Sequence, residues 1–337
     1  MQDMVYWLPL IWIGLLGTAV ALYVILDGFD LGIGILFPFS PEEDERDTMM
    51  NSVAPFWDGN ETWLILGGGG LFVAFPMAYG IIMSGLYLPV SIMLLALVFR
   101  GVAFEFRWVS KPNHAFWDIA FAGGSIVAAF MQGVILGTLL HGLPVANGHF
   151  AGGMLDWLTP FPLFTGAATV LGYALLGATW LVMKTEGEVA ASARTQAKGL
   201  LAAVLLAMAV VSIWSPLAEP RIFDRWFSGA NIFYLARVPV LTALAAFAVW
   251  RGLETFKDTT PFLGTVALFL LGFLGLAIST LPLLVPPSLD VWQAAAHPSS
   301  QLFLLVGTVI MLPVILGYTA FVYWTFRGKI KPGEGYH

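Results

Sequence analysis

Apolar runs of about 18–25 residues, long enough for a helix to cross the roughly 30 Å hydrocarbon core of a bilayer, follow one another along this chain with little between them. Bounded by charge, Gly or Pro, nine such spans are predicted near 6–36, 52–73, 78–100, 116–140, 160–183, 199–217, 231–250, 262–285 and 301–326. With 58% of the 337 residues hydrophobic and a mean hydropathy of +0.83, too little polar surface remains to cover a water-soluble body. The predicted fold class is an all-α polytopic membrane protein, a single transmembrane domain over 1–337. Spans one to four and five to eight have an order compatible with two four-helix bundles, the ninth helix being peripheral.

The first span is too long, and too acidic at its end, for a cleaved signal peptide, so it is predicted to be a retained helix. Cysteine is absent, which excludes disulfides, thiolate zinc sites, iron–sulfur clusters and Cys-linked haem. With the N-terminus outside, the inner segments hold Arg46, Arg100, Arg107, Lys111, Lys184, Arg194, Lys198, Arg251, Lys257, Arg327, Lys329 and Lys331. Only Arg221, Arg225 and Arg237 of the 15 basic residues then face outward. The excess of basic residues on cytoplasmic loops therefore predicts N-out, C-in.

Against this apolar background the carboxylates stand out. Val53-Ala54-Pro55-Phe56-Trp57-Asp58-Gly59-Asn60-Glu61-Thr62-Trp63 opens the second span with two acids and two tryptophans, and Asp27-Gly28-Phe29-Asp30-Leu31-Gly32 ends the first with two more. A carboxylate at the bilayer centre costs roughly 2.5–3.5 kcal/mol, so acids inside spans usually line a protein or water path. Asp27 and Asp30 share a helix face, as do Asp58 and Glu61. From Tyr6 to Asp30 is about 36 Å of helix, which puts the first pair near the inner surface; Asp58, about 10 Å beyond Asn51, is expected deeper. Arg100 ends the third span on the same side, followed by Phe104-Glu105-Phe106-Arg107, and is the expected charge partner. The group reads either as a polar funnel leading inward from the cytoplasm or as a structural salt-bridge cluster pinning three helices. Interfacial solvation is a further reading for Asp27, Asp30 and Glu105.

The histidines, His114, His141, His149, His297 and His337, fall in loops, at span ends or at the terminus, with no facing pair for a bis-His haem. The scattered methionines suit packing. Gly67-Gly68-Gly69-Gly70 lies inside a span without an adjoining Lys, Ser or Thr, so a phosphate cradle fails. Trp57 and Trp63 are candidates to wall the acidic site.

Taken together, the DGFDLG segment at 27–32, Asn51-Ser52-Val53-Ala54-Pro55, Trp57-Asp58-Gly59-Asn60, Phe99-Arg100 and Phe104-Glu105-Phe106-Arg107 resemble subunit II of cytochrome bd-type quinol oxidases. The resemblance continues through Trp292, Ala294, Ser299-Ser300-Gln301-Leu302, Pro313-Val314-Ile315-Leu316, Tyr318-Thr319-Ala320 and Tyr323-Trp324. It implies a complex of the bacterial inner membrane that oxidises quinol and reduces dioxygen to water. It further implies a haem-bearing subunit I holding haems b and d, or b in place of d. The present chain would ligate no haem or metal, supply part of the cytoplasmic proton path and have room for a structural quinone. A small single-helix subunit and the lipid bilayer are further implied partners, and nucleic acid is not one. The implied proton path comprises Asp58, Asp27, Asp30, Glu61, Arg100 and Glu105. Glu61 stands where other members carry Gln, and a long outer insertion between spans six and seven is lacking, so the length resembles the cyanide-insensitive branch. A proton-coupled transporter is the competing reading, disfavoured because the acids cluster on one side rather than at the midplane. A purely structural scaffold is the third.

Overall fold

The computed structural model describes residues 2–110 and 114–330, so Lys111, Lys331 and His337 lie outside the described residues. It is all-helical apart from two small hairpins. The helices are α1 (Gln2–Leu36), α2 (Glu43–Asn51), α3 (Trp57–Ala74), α4 (Pro76–Gly85), α5 (Tyr87–Val109), α6 (Ala115–His141) and α7 (Pro160–Lys184). There follow α8 (Gly187–Ala218), α9 (Pro220–Phe227), α10 (Asn231–Leu235), α11 (Arg237–Glu254), α12 (Thr259–Thr280), α13 (Val291–Ala294) and α14 (Pro298–Thr325). Strand β1 (Val145–Ala146) pairs antiparallel with β2 (His149–Phe150), and β3 (Leu283–Val285) with β4 (Leu289–Asp290). Asn147 and Gly148 join the first pair at positive φ, the backbone that an Asn-Gly hairpin turn requires.

Eight helices among the described residues are long and apolar enough to cross a membrane, one fewer than the nine predicted spans. The one that falls short by length and composition is the second, α3. Pro55 disfavours helix at the residue before it, and residues 52–56 form turns, so α3 begins only at Trp57 and spends its first turns on Asp58, Asn60 and Glu61. The predicted span at 78–100 is interrupted at Leu86, where α4 gives way to α5. The predicted span at 262–285 stops at Thr280, and its last three residues become β3.

Helix α1 packs on α3, α6 and α7; α5 lies along α6; α7 also meets α6, α8 and α12; and α11 pairs with α12. Two of these contacts position the polar site. At Gly32 a Cβ would lie 1.9 Å from the carbonyl oxygen of Tyr173, so only glycine lets α1 touch the backbone of α7. At Gly124 of α6 a Cβ would come within 2.6 Å of the Ala96 carbonyl and 3.0 Å of the Arg100 amide nitrogen, which fixes α5 beside α6. Such close approach substitutes van der Waals contact for a hydrophobic drive that is missing between helices in lipid. Helix α14 packs mainly on α1 and α3 among the long helices and exposes Phe303, Val309, Ile310, Tyr318 and Phe321.

Candidate functional site

The site lies where α1, α3, α5 and α14 meet. Asp27 and Asp30, one helical turn apart, and Arg100 of α5 are all fully buried. Arg100 Nη1 is 2.7 Å from Asp27 Oδ1, and Nη2 is 3.8 Å from Asp30 Oδ2. The guanidinium lies 5.9 Å from the ring centre of Trp57 and 6.0 Å from that of Phe104, and these two rings stack on each other at 4.8 Å. A weakly hydrated, planar cation suits that aromatic wall better than an ammonium would. One cation facing two buried carboxylates leaves the group one negative charge in excess when both acids are ionised. In so apolar a place the neutral form of the cluster carries one proton.

Neutral polar side chains extend the cluster in two directions. Asn60, 1% exposed, donates from Nδ2 to Asp30 Oδ2 at 2.7 Å and to the Leu26 carbonyl at 3.2 Å, while its Oδ1 accepts from the Tyr323 hydroxyl at 2.9 Å. On the other side the Tyr23 hydroxyl lies beside the Asp27 carboxylate and accepts from Gln132 Nε2 at 2.7 Å. Tyr173 donates to Gln132 Oε1 at 2.6 Å. Six helices, α1, α3, α5, α6, α7 and α14, thus contribute to one buried polar network.

The predicted site residues do not all stand where the sequence places them. Asp27 and Asp30 are not at a solvated interface but in the buried centre of the site, because α1 runs on to Leu36 and its acidic face turns toward α5. Asp58 is not the deeper acid: it occupies the first turn of α3, and its side chain is exposed on the outside of the chain. Arg100 is consequently the partner of Asp27 and Asp30 rather than of Asp58. Glu61, one turn further along α3, is partly buried and within electrostatic reach of Arg100, Asp27 and Asp58. Glu105, five residues beyond Arg100 and so about 140° around the helix, is exposed and faces away from the buried acids. Trp57 walls the site, whereas Trp63 packs with Ala19 and Tyr23.

A second ionic cluster, not singled out from the sequence, lies nearer the loop side of the same helices. Buried Arg107 pairs with Asp47 of α2 and, at 2.6 Å, with Asp118 of α6. Asp118 also faces Arg46 at 3.6 Å and His114 at 3.3 Å, and His114 meets Glu43 at 3.0 Å. This ties the acidic segment after α1 to α5 and α6. The other described histidines, His141, His149 and His297, are exposed outside the bundle interior. Among the described residues no group of three or more His, Asp or Glu stands as a set of metal ligands.

A family model described as "Cytochrome bd terminal oxidase subunit II" matches residues 8–326, almost the full length. The chain belongs to this family. It is 32% identical to "Cytochrome bd-I ubiquinol oxidase subunit 2" of Escherichia coli strain K12, over 96% of this chain and 95% of that one. It is 30% identical to "Cytochrome bd ubiquinol oxidase subunit 2" of Bacillus subtilis strain 168, over 96% and 97% respectively. In fold it is similar to a chain of "The structure of bd oxidase from Geobacillus thermodenitrificans", with a TM-score of 0.80 over 95% of this chain and 98% of that one at 17% identity. As a subunit II of a cytochrome bd terminal oxidase, the chain is a multi-pass membrane component of an oxidoreductase complex. That place in a complex implies a subunit I. The sequence resemblance to the bd-type oxidases and the match by family agree.

Proposed function

We propose that this chain pairs with a haem-bearing subunit I in a bd-type quinol oxidase and carries protons from the cytoplasm toward the site where that subunit reduces dioxygen. The observation that carries the reading is Asp58. It is exposed on a face of α3 that also presents Ile65 and Phe72, and α5, which meets α3 at Trp57 and Phe104, likewise exposes Leu95, Val98, Phe99 and Val102. A carboxylate on such an apolar face is costly against lipid and inexpensive against a protein surface that offers a hydrogen bond or a cation. This face is the one that subunit I covers, and the acids it holds form a graded series. Asp58 is open to the partner, Glu61 is partly buried and near the charged centre, and Asp27 and Asp30 are sealed around Arg100. Proton carriage needs groups that take and release a proton without large rearrangement, and an acid pair sharing one cation supplies such an exchangeable proton.

The haems b and d, or b in place of d, belong in this reading to subunit I, with quinol and dioxygen as substrates of the whole complex. The lack of an interior histidine pair among the described residues supports that division. A structural quinone and a small single-helix subunit remain part of the proposal through the family resemblance. The test is the absorption spectrum and activity of the purified complex. Complex with subunit I should absorb as haem protein and consume oxygen with quinol, whereas the polypeptide separated from its partner should be colourless. A stoichiometric haem retained by this chain alone would overturn the division of labour.

The direction of proton carriage depends on orientation, for which N-out, C-in is proposed from the distribution of basic residues; it requires α3 to cross in addition to the eight helices that are long and apolar enough by themselves. A phosphatase fused at the C-terminus, active only outside the cytoplasm, should be silent, and a fluorescent protein that matures only inside should light up. The reverse pattern would invert the path.

A further inference from the structure

Asn60 makes three hydrogen bonds, one of them to Asp30 of the acid pair, and their directions are fixed by chemistry. Its amide nitrogen points at two acceptors, Asp30 Oδ2 and the Leu26 carbonyl, and its amide oxygen receives the Tyr323 hydroxyl. Turning the amide over would set an oxygen against a carboxylate and a carbonyl, so one orientation prevails. Asp30 Oδ2 therefore receives an N–H and faces Arg100 Nη2 at 3.8 Å, which makes it an acceptor and not the seat of a proton. The other oxygen, Oδ1, is buried and has no hydrogen-bond partner among the described residues. Tyr323 is itself held, its ring stacked on Phe56 at 4.5 Å, so α14 reaches the acid pair through a single hydroxyl.

We infer that Asn60, oriented by Tyr323, is a positioning residue that reserves Asp30 Oδ2 for accepting and directs the exchangeable proton of Asp30 to Oδ1. This rests on the reading of Asp27 and Asp30 as proton carriers. It gives α14, the long helix that packs least on the rest of the chain, a part in setting the site.

The test uses the complex purified with subunit I. Tyr323→Phe removes the hydroxyl and keeps the ring on Phe56; Asn60→Leu removes the amide at similar volume. The carboxylic C=O stretch of Asp30, identified in difference infrared spectra by its loss in Asp30→Asn, should move in Tyr323→Phe. Quinol oxidase turnover should fall about twofold to tenfold, as for one weakened hydrogen bond. Because a donor to the ionised carboxyl is weakened, its proton is released less readily and the pH–rate profile should move to higher pH. Asn60→Leu should show the same changes, larger. A merely structural seam would lower the thermal midpoint of the complex while leaving the infrared band and the pH profile of Tyr323→Phe unmoved, and that result overturns the inference. If Asn60→Leu does not assemble, Tyr323→Phe decides alone. Wild-type turnover in Asp30→Asn would refute the proton-carrier reading, and the band in Tyr323→Phe would still decide whether Asp30 is positioned this way.

Discussion

Arg100→Leu is expected to abolish accumulation of the complex in the membrane. Removing the partner of a buried ion pair costs about 3–5 kcal/mol, because the charge left behind has neither water nor a counter-ion. Here two carboxylates are left behind, both fully buried, beside the apolar wall of Trp57 and Phe104. The triple variant Arg100→Leu, Asp27→Asn, Asp30→Asn separates structure from function. Replacing a whole buried ionic group by neutral side chains is often close to neutral for stability, so the triple variant should again accumulate. It should not regain turnover, since no carboxylic acid remains in the sealed centre of the site. The measurements are the yield of solubilised complex, its haem content and its quinol-driven oxygen consumption. A triple variant with near-normal turnover would reduce the cluster to a clamp between α1 and α5.

Asp58→Asn is expected to do the opposite: to assemble with a full haem complement and to turn over about a hundredfold more slowly, in the range usual for loss of a proton-transferring group. Assembly should survive because Asp58 is exposed on this chain and has no ion pair among the described residues, so the amide leaves no buried charge unpaired. The loss should appear in proton uptake as well as in oxygen consumption. Near-normal oxygen consumption would eliminate the relay. Failure to assemble would mean instead that the carboxylate anchors subunit I through an ion pair, and the route from Asp27 and Asp30 would need another exit.

The contrast between these two variants shows where sequence reasoning reached and where it stopped. Counting residues along a helix gives depth along its axis, and it placed Asp27 and Asp30 within the last turns of α1. It does not give the azimuth relative to neighbours, and azimuth separates a solvated acid from a sealed one. Asp58 was misplaced for a local reason. The turn through Pro55 shifts the start of α3 to Trp57, so Asp58 lies in the first turn of that helix rather than about 10 Å along it, and its side chain is exposed. Asn60, Gln132, Tyr173 and Tyr323 went unassigned because a neutral polar residue in an apolar run carries no charge signal, although Asn and Gln inside a span were a mark worth reading. Arg107, Asp47 and Asp118 are 11 or more residues apart in the chain, and only the packing of α2, α5 and α6 joins them.

By itself, then, the sequence determined that this chain lives in a membrane as a set of long helices, that it offers neither cysteine ligands nor an interior histidine pair, and that it belongs with the bd-type oxidases. Composition, span length and motif order are properties of the linear chain, and the bilayer enforces their meaning because an unpaired backbone or charge within it is costly. Tertiary structure alone decided that Arg100 serves Asp27 and Asp30, that Asp58 is left facing outward, and that α14 touches the site through Tyr323. Those outcomes depend on which helix faces meet. In this chain they meet where Gly32 and Gly124 remove the side chain that would hold the backbones apart.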